Sequence, residues 1–385
     1  MPWAETQPMI EKEKFVTDAR GGRWTMSELC RLYGVSRKAG YECLRRFDQE
    51  GLGGLTERSR APKRCPHRTS SAVQQRLLEV KKRFPTWGAR KLLDYVVFND
   101  GPGGWPAEST VNALLKREGL VKPRKKRQRS AHPGRPYVTT EEPNDVWTAD
   151  FKGQFLTGNH LYCYPLTIAD LHSRYLLSCK SLLGTEHDDT KATFERLFHR
   201  HGLPKAILTD NGVPFCAPNA VLGLSVLSVW WMSLGIEPIR IQPGRPQQNG
   251  AHERMHRTLK AETTKPPAKD ARGQQRKFDK WRREYNQERP HEALGGTPPA
   301  HHWHPSPRPY PSRVRGPEYD GHFETRLVSD AGHFRFKSGT YFVSHVLAGQ
   351  TVGLQEAGDG VWDVFFYDRQ LGRLSEQNKK SMTKC

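Results

Sequence analysis

Trp147-Thr148-Ala149-Asp150, Leu208-Thr209-Asp210-Asn211-Gly212-Val213-Pro214-Phe215 and Gly244-Arg245-Pro246-Gln247-Gln248-Asn249-Gly250-Ala251-His252-Glu253-Arg254 are the three stretches whose reading decides the fold. Each sets one carboxylate, Asp150, Asp210 or Glu253, at the end of a strand or on the face of a helix. A lone Asp-Asn-Gly is an ordinary turn. Three such carboxylates, distant in sequence, can converge on two divalent cations about 3.5–4 Å apart. That arrangement activates an attacking oxygen and stabilises a leaving oxygen at phosphorus.

Working outward, alternation and helical periodicity predict strands over 145–156, 161–170 and 174–182 and a helix over 189–201. A strand over 205–209 then ends in Asp210. An apolar helix over 220–236 follows, with Trp230 and Trp231 inward, then a strand over 236–242 and a helix over 247–260. Three antiparallel strands followed by alternating helices and strands is the order of a ribonuclease-H-like α/β fold. Asp150 is then expected on the first strand, Asp210 just past the fourth, and Glu253 on a helix facing both. Arg257 and Lys260 stand four and seven positions after Glu253, on one helical face, and Asn249 one turn before it. These three are candidates for holding DNA. His252 and His256 are expected to titrate near neutral pH, with no need of either as a general base. Asp145, before the first strand, and Asp170, entering a turn, are lesser candidates for ligation.

Together with Tyr285-Asn286-Gln287-Glu288-Arg289-Pro290-His291-Glu292-Ala293-Leu294-Gly295 and Thr297-Pro298, these stretches resemble the DDE transposases of bacterial insertion sequences, whose catalytic core is of the retroviral-integrase type. Residues 26–59 and 85–121 are similar to the paired helix-turn-helix modules of one subgroup. The resemblance implies that Asp150, Asp210 and Glu253 are catalytic and bind two Mg²⁺ per active site, with Mn²⁺ able to substitute. It implies water-dependent exposure of a 3′-hydroxyl at the element end and attack of that hydroxyl on target DNA. Double-stranded DNA, both element ends and target, is the expected partner, with a homo-oligomer, at least a dimer, assembled on it. No membrane is expected, and the place implied is the bacterial cytoplasm, at the nucleoid. Two rivals are a transposon-derived DNA-binding regulator, disfavoured by the intact triad, and a metal-dependent nuclease that cuts without joining, disfavoured by the tandem modules. Asp210 and Glu253 lie 43 positions apart (210 to 253), longer than is typical of such cores, and the extra length falls in the apolar region. The His-His-Cys-Cys zinc arrangement of retroviral integrases is not recreated by Cys65 and His67.

Composition agrees. A formal charge of +20 over 385 residues points to a polyanionic partner. No amphipathic basic helix or lipidation motif directs that charge to a membrane surface, and no secretory signal follows Met1. Seven scattered cysteines, an odd number without paired spacing, fit a reducing compartment rather than a disulfide scaffold.

The amino-terminal part reads as helical. Thr25-Met26-Ser27-Glu28 forms a capping box, with Leu29 and Leu32 as the apolar face that follows. Gly34-Val35 turns the chain, and Ser36 caps a second helix with Tyr41 and Leu44 inward and Arg37, Lys38 and Arg45 outward toward DNA. Helices over 71–84, 89–97 and 109–118 form a second such unit, its last helix the reader. Lys122, Arg124, Lys125, Lys126, Arg127 and Arg129 then form a basic run suited to phosphate contacts. Beyond the core, His301, His302 and His304 sit in a Pro-rich stretch read as a solvated linker rather than a metal site. Short alternating strands from 323 to 376, punctuated by Gly332, Gly339 and Gly358-Asp359-Gly360, read as a small SH3-like barrel; the resemblance implies that it binds DNA or a neighbouring subunit, with a purely stabilising end-domain as the alternative.

The expected fold class is therefore multidomain: all-α helix-turn-helix modules, an α/β ribonuclease-H-like core and a small all-β SH3-like barrel. The expected boundaries are a helix-turn-helix domain at 1–60, a second, winged-helix-like one at 68–121, a basic linker at 122–140, the integrase-type core at 141–300, a Pro-rich linker at 301–320 and the barrel at 321–385.

Overall fold

A computed structural model describes residues 8–58, 68–121, 138–242, 246–376 and 382–384. The basic run from Lys122 to Arg129, and Cys65 and His67, lie outside the described residues. The chain divides into two compact units, with the division between Arg68 and Thr69.

The first unit packs α1 (Pro8–Arg20), α2 (Met26–Leu32) and α3 (Arg37–Glu50) around Phe15, Val16, Leu29, Cys30, Cys43 and Leu55. The first of these helices was not anticipated from the sequence. The capping box forms: the Glu28 amide donates to the Thr25 hydroxyl and the Thr25 amide donates to the Glu28 carboxylate at 2.9 Å. Ser36 caps α3 by accepting from the Ala39 amide, after a turn in which Gly34 takes φ +62°. Gly40 sits where a Cβ would meet Cys30 Sγ at 2.6 Å and Phe15 Cζ at 2.8 Å, so α3 crosses its neighbours at glycine. Two expectations fail. Leu32 and Tyr41 are 64% and 59% exposed. The inward stripe of α2 runs through Leu29 and Cys30 and that of α3 through Gly40 and Cys43, and a step of about 100° per residue turns Leu32 and Tyr41 to solvent.

The second unit opens with α4 (Ser71–Arg83), α5 (Ala89–Asp100) and α6 (Glu108–Arg117), closed around Leu77, Leu92, Val96, Val111 and Leu115. These helices stay within the compact unit that follows. Arg90 pairs with Glu292 at 2.9 Å, and the Lys91 ammonium donates to the Pro290 carbonyl at 3.1 Å. A Cβ on Gly296 would meet Asp94 Cγ at 2.9 Å.

Next come β1 (Val146–Phe151), β2 (Phe155–Leu156), β3 (Tyr162–Asp170), β4 (Leu176–Leu182), α7 (His187–His201), β5 (Ala206–Thr209), α8 (Val226–Ser233), β6 (Glu237–Arg240), α9 (Gly250–Thr263) and α10 (Ala271–Gln287). The sheet order is β2-β3-β1-β5-β6, with β4 on β3. β1 runs antiparallel to β3 and parallel to β5, and β6 is parallel to β5. Strand alternation sorts the two faces. Trp147, Ala149, Leu166, Ile168 and Ile207 pack with Phe194 and Phe198 of α7 and Trp231 of α8. The opposite face carries Thr148, Asp150 and Thr167, beneath α9. Met255 and Leu259 of α9 share a core with Phe278 and Trp281 of α10.

Three further expectations change. The apolar stretch is helical only from Val226, because Ser225 and Ser228 form a capping box there and Leu222 and Gly223 take φ +52° and +64°. The helix bearing Glu253 begins at Gly250, after a short 3-10 turn over Pro246–Asn249. The Pro-rich stretch is a strap on the core rather than a solvated linker. Trp303 stacks on Tyr175 with ring centroids 4.2 Å apart, and the Arg308 guanidinium donates to the carbonyls of Pro204, Leu234 and Gly235. Proline withdraws amides from regular pairing, but Arg308 finds the free carbonyls just past α8.

The carboxyl-terminal region of the second unit is all-β: β7 (Glu324–Leu327), β8 (His333–Phe336), β9 (Gly339–Phe342), β10 (Thr351–Gly358), β11 (Val361–Phe366), β12 (Arg369–Ser375) and β13 (Met382–Lys384). Five strands form one sheet, ordered β13-β12-β11-β10-β7, and β8 and β9 pair separately. Their shared core includes Val221, Leu224, Val229 and Met232. The segment between Asp210 and Glu253 thus supplies apolar surface that the all-β region buries. Among the described residues, no helix is long and apolar enough to cross a membrane.

Candidate active site

Asp150 lies near the end of β1, and the parallel register Ala149↔Thr209 places Asp210 at the end of the neighbouring strand. Asp210 closes a tight turn in which the Gly212 amide donates to its Oδ1 at 3.0 Å. A Cβ on Gly212 would stand 3.2 Å from Asp210 Oδ2, so the Asp-Asn-Gly frame keeps that carboxylate uncrowded. The Asn211 side chain ties the turn to the Ile241 carbonyl at 2.9 Å. Phe215 is buried behind it. Glu253 sits exposed in the first turn of α9.

Asp150 senses the other two carboxylates. Asp150 has its carboxyl pushed up to about 7, first by burial and then by the negative charges of Asp210 and Glu253; Lys152 opposes the rise. Desolvation without full compensation marks a position suited to a cation or to chemistry. Asp170, on β3, is also buried and raised by burial, but it accepts from the Asn144 amide at 2.8 Å, the Ser173 amide at 2.7 Å and the Ser173 hydroxyl at 2.6 Å. Asp145 accepts from the Glu141 and Glu142 amides and pairs with Lys205 at 2.7 Å.

His252 and His256 do not titrate near neutrality as expected. Burial pushes them down to about 3 and about 2. Ligand atoms of Asp150, His252 and His256 lie within 4.8 Å of one another. Three of the four imidazole nitrogens are already engaged. Thr148 Oγ1 lies 2.8 Å from His252 Nδ1, and Thr167 Oγ1 lies 2.7 Å from His252 Nε2 and 2.6 Å from His256 Nε2. The fourth, His256 Nδ1, faces Asp150 Oδ2 at 3.6 Å. Sequence reasoning passed over Thr148 and Thr167. The signal was present in the alternation that puts Thr148 on the Asp150 face and in the His-x-x-x-His spacing around Glu253.

Arg257 and Lys260 are exposed on α9, along with Arg254, which the sequence reading did not single out. Asn249 is 6% exposed at the start of the helix, so it offers little surface to DNA, contrary to expectation. Arg37, Lys38 and Arg45 are exposed on α3, and Arg45 is paired with Glu42 at 2.6 Å.

Models of the integrase core domain match residues 140–246 and 234–299, spanning all three carboxylates. The chain carries an integrase core domain. Ahead of that core, models of a helix-turn-helix domain and a homeodomain-like domain match residues 11–63 and 39–115. The insertion element IS476 39.2 kDa protein of Xanthomonas euvesicatoria is 28% identical over 267 residues, 65% of this integrase-core chain and 69% of that protein. The insertion element IS407 31.7 kDa protein of Burkholderia multivorans is 26% identical over 61% of this chain and 82% of its own length. Among solved structures, the HTLV-2 integrase catalytic core domain in complex with magnesium covers 42% of this chain and 98% of its own, at 18% identity and a TM-score of 0.34. A simian T-cell lymphotropic virus intasome chain covers 80% and 98%, at 14% identity and a TM-score of 0.36.

Proposed function

We propose that this integrase-core protein is a transposase that binds the ends of an insertion sequence, cleaves at the 3′ ends and joins them to target DNA. The observation that carries the reading is Asp150, a buried carboxyl raised by burial and by the charges of Asp210 and Glu253. A hard divalent cation fits this donor set, since carboxylate oxygens suit Mg²⁺ and Mn²⁺ and a cation relieves the repulsion that lifts Asp150. Asp150, Asp210 and Glu253 would hold the two ions, whose chemistry is to activate the attacking oxygen and stabilise the leaving one. Gly212 leaves room beside Asp210 for substrate oxygens. Arg254, Arg257 and Lys260, exposed on α9, would hold the DNA backbone beside the carboxylates. The buried imidazoles stay neutral and are not the base.

Sequence recognition belongs to residues 1–121, with Arg37, Lys38 and Arg45 on α3 facing a groove and the basic run from Lys122 to Arg129 on phosphates. Paired insertion needs two 3′-hydroxyls, so the active form is a multimer, at least a dimer, assembled on DNA. Incubating the full chain and Mg²⁺ with candidate element-end duplexes and a target plasmid tests the proposal. Joined products from cognate ends and not from scrambled ones are expected. Cleavage without joining would make the protein a nuclease, and end binding without either reaction would make it a regulator.

A further inference from the structure

Glu262 stands on the same helix as Glu253, nine positions further on (253 to 262), which is roughly 14 Å along α9 at a rise of about 1.5 Å per residue. The proposed chemistry gives it no role. Its carboxylate nevertheless accepts from three side chains. Trp281 Nε1 donates to Oε2 at 2.6 Å, Arg289 Nη1 lies 3.0 Å from Oε1 and 3.2 Å from Oε2, and the Thr86 hydroxyl donates to Oε1. Trp281 belongs to α10 and Arg289 follows it, whereas Thr86 comes from the turn between α4 and α5.

Arg289 ties the same point to a second core. Its guanidinium stands 5.8 Å from the ring centroid of Trp87, which is buried in the core of α4–α6. Trp281 belongs to the core that holds Met255 and Leu259 of α9. One carboxylate thus links two hydrophobic clusters. The Glu262 and Arg289 side chains are only 18% and 11% exposed, and charge-assisted bonds shielded from water are strong and fixed in direction. Beside them, Lys91 donates to the Pro290 carbonyl, Arg90 pairs with Glu292, and Asp94 fits against Gly296 where a Cβ would collide. Burial and then the charge of Arg289 push the Lys91 ammonium down to about 8, the mark of a dehydrated contact. These docking contacts come from α5 and the turn before it. The last helix, α6, expected to read DNA, keeps Ser109, Thr110, Ala113 and Lys116 exposed.

We infer that Glu262, with Arg289, Thr86 and Trp87, locks α4–α6 to the helix that carries Glu253, so that reader helix and carboxylates move as one body and the cut falls at a fixed distance from the bases read. This rests on the reading of residues 1–121 as the recognition half and of the three carboxylates as the cutting site. Glu262 is a positioning residue, acting through α9 rather than on the reacting atoms. A flexible tether between reader and cutter would leave the spacing open over several base pairs. A rigid joint removes that freedom, because each base pair advances the duplex by about 3.4 Å.

Two measurements on the full-length protein test it. The first, without DNA or metal, compares hydrogen exchange by mass spectrometry in wild type, Glu262→Gln and Lys91→Met. Each variant keeps the side chain's shape and loses a charge-assisted bond at the joint, so exchange of the α5 amides should quicken by about 10-fold while β3 and β4 stay within about threefold. Unchanged exchange of α5 in Glu262→Gln, or in Lys91→Met should the first not fold, overturns the joint. The second maps cleavage of element-end duplexes with one to three base pairs inserted between the footprinted sequence and the terminus. Wild type should cut at an unchanged distance from the footprint, inside the insert. Glu262→Gln should spread its cuts over neighbouring positions, which lost stability alone would not do. A wild-type cut that follows the terminus overturns the inference. Absence of any footprint would instead count against the recognition reading, and hydrogen exchange would still decide the joint.

Discussion

Asp150 and Asp170 are two buried aspartates on adjacent, paired strands, and their surroundings are opposite. Asp170 is 1% exposed yet accepts three hydrogen bonds from Asn144 and Ser173. Asp150 is less deeply buried, with a side chain 19% exposed. Its carboxylate faces the buried His256 imidazole at 3.6 Å, and its carboxyl is lifted to about 7. Burial alone therefore does not mark a site. The difference is how far the fold has supplied donors for the charge: three bonds at Asp170, and at Asp150 a backbone contact from Phe151 that leaves most of the desolvation uncompensated.

The largest expected effect separates the two by rate. Asp150→Asn should lower strand cleavage by about 10³-fold or more, since several kcal/mol of transition-state stabilisation are at stake at roughly 1.4 kcal/mol per decade. Asp170→Asn should lose activity only in proportion to its unfolded fraction, as read by cleavage per folded molecule from circular dichroism. Equal loss per folded molecule in both would break the comparison.

Stability should move the other way. In metal-free protein the folded carboxyl of Asp150 titrates near 7 and the unfolded one near 4, so between those values the folded state binds more protons. Its contribution is favourable at the acid end and is lost as pH rises through that window, by on the order of 2–4 kcal/mol. Asp150→Asn should flatten that slope in urea unfolding measured from pH 4 to 7.5 with chelator present. An unchanged slope would show that the carboxyl is not raised.

Asp170→Asn should cost about 2–3 kcal/mol of stability, because hydrogen bonds to a charged acceptor are lost and a buried amide donor is left unmatched. A shift in urea midpoint with constant slope checks this. Ser173→Ala removes one of those donors and should cost about 1 kcal/mol, the smallest effect of the series. A loss as large as that of Asp170→Asn would mean that the hydroxyl organises the whole turn.

Much of this was legible in the sequence. Strand alternation around Asp150, the turn at Asp210 and the capping boxes are local signals, and the core elements and the helix-turn-helix pattern follow from them. Contacts between segments far apart were not. Arg308 meets carbonyls roughly 70 to 100 positions away, so the strap read as a solvated linker. Asp170 read from its place before a turn as a lesser candidate than Asp150, and the Ser173 turn that occupies its carboxylate, which the sequence did not reveal, is the physical reason. The two histidines around Glu253 looked titratable because burial beneath a sheet is not written in helical spacing. Tyr41 and Leu32 were misassigned because apolar residues were placed inward before Gly40 and Cys30 were known to define the packed faces.

The central claim is that Asp150, Asp210 and Glu253 hold a divalent cation together. Thermal unfolding at pH 7 with Mn²⁺ added, against chelator, measures it without any DNA. Wild type should gain about 2–3 kcal/mol near a hundredfold excess over the dissociation constant. That gain should be largely lost in Asp150→Asn, Asp210→Asn and Glu253→Gln and kept in folded Asp170→Asn. A full gain in Asp150→Asn would contradict the account.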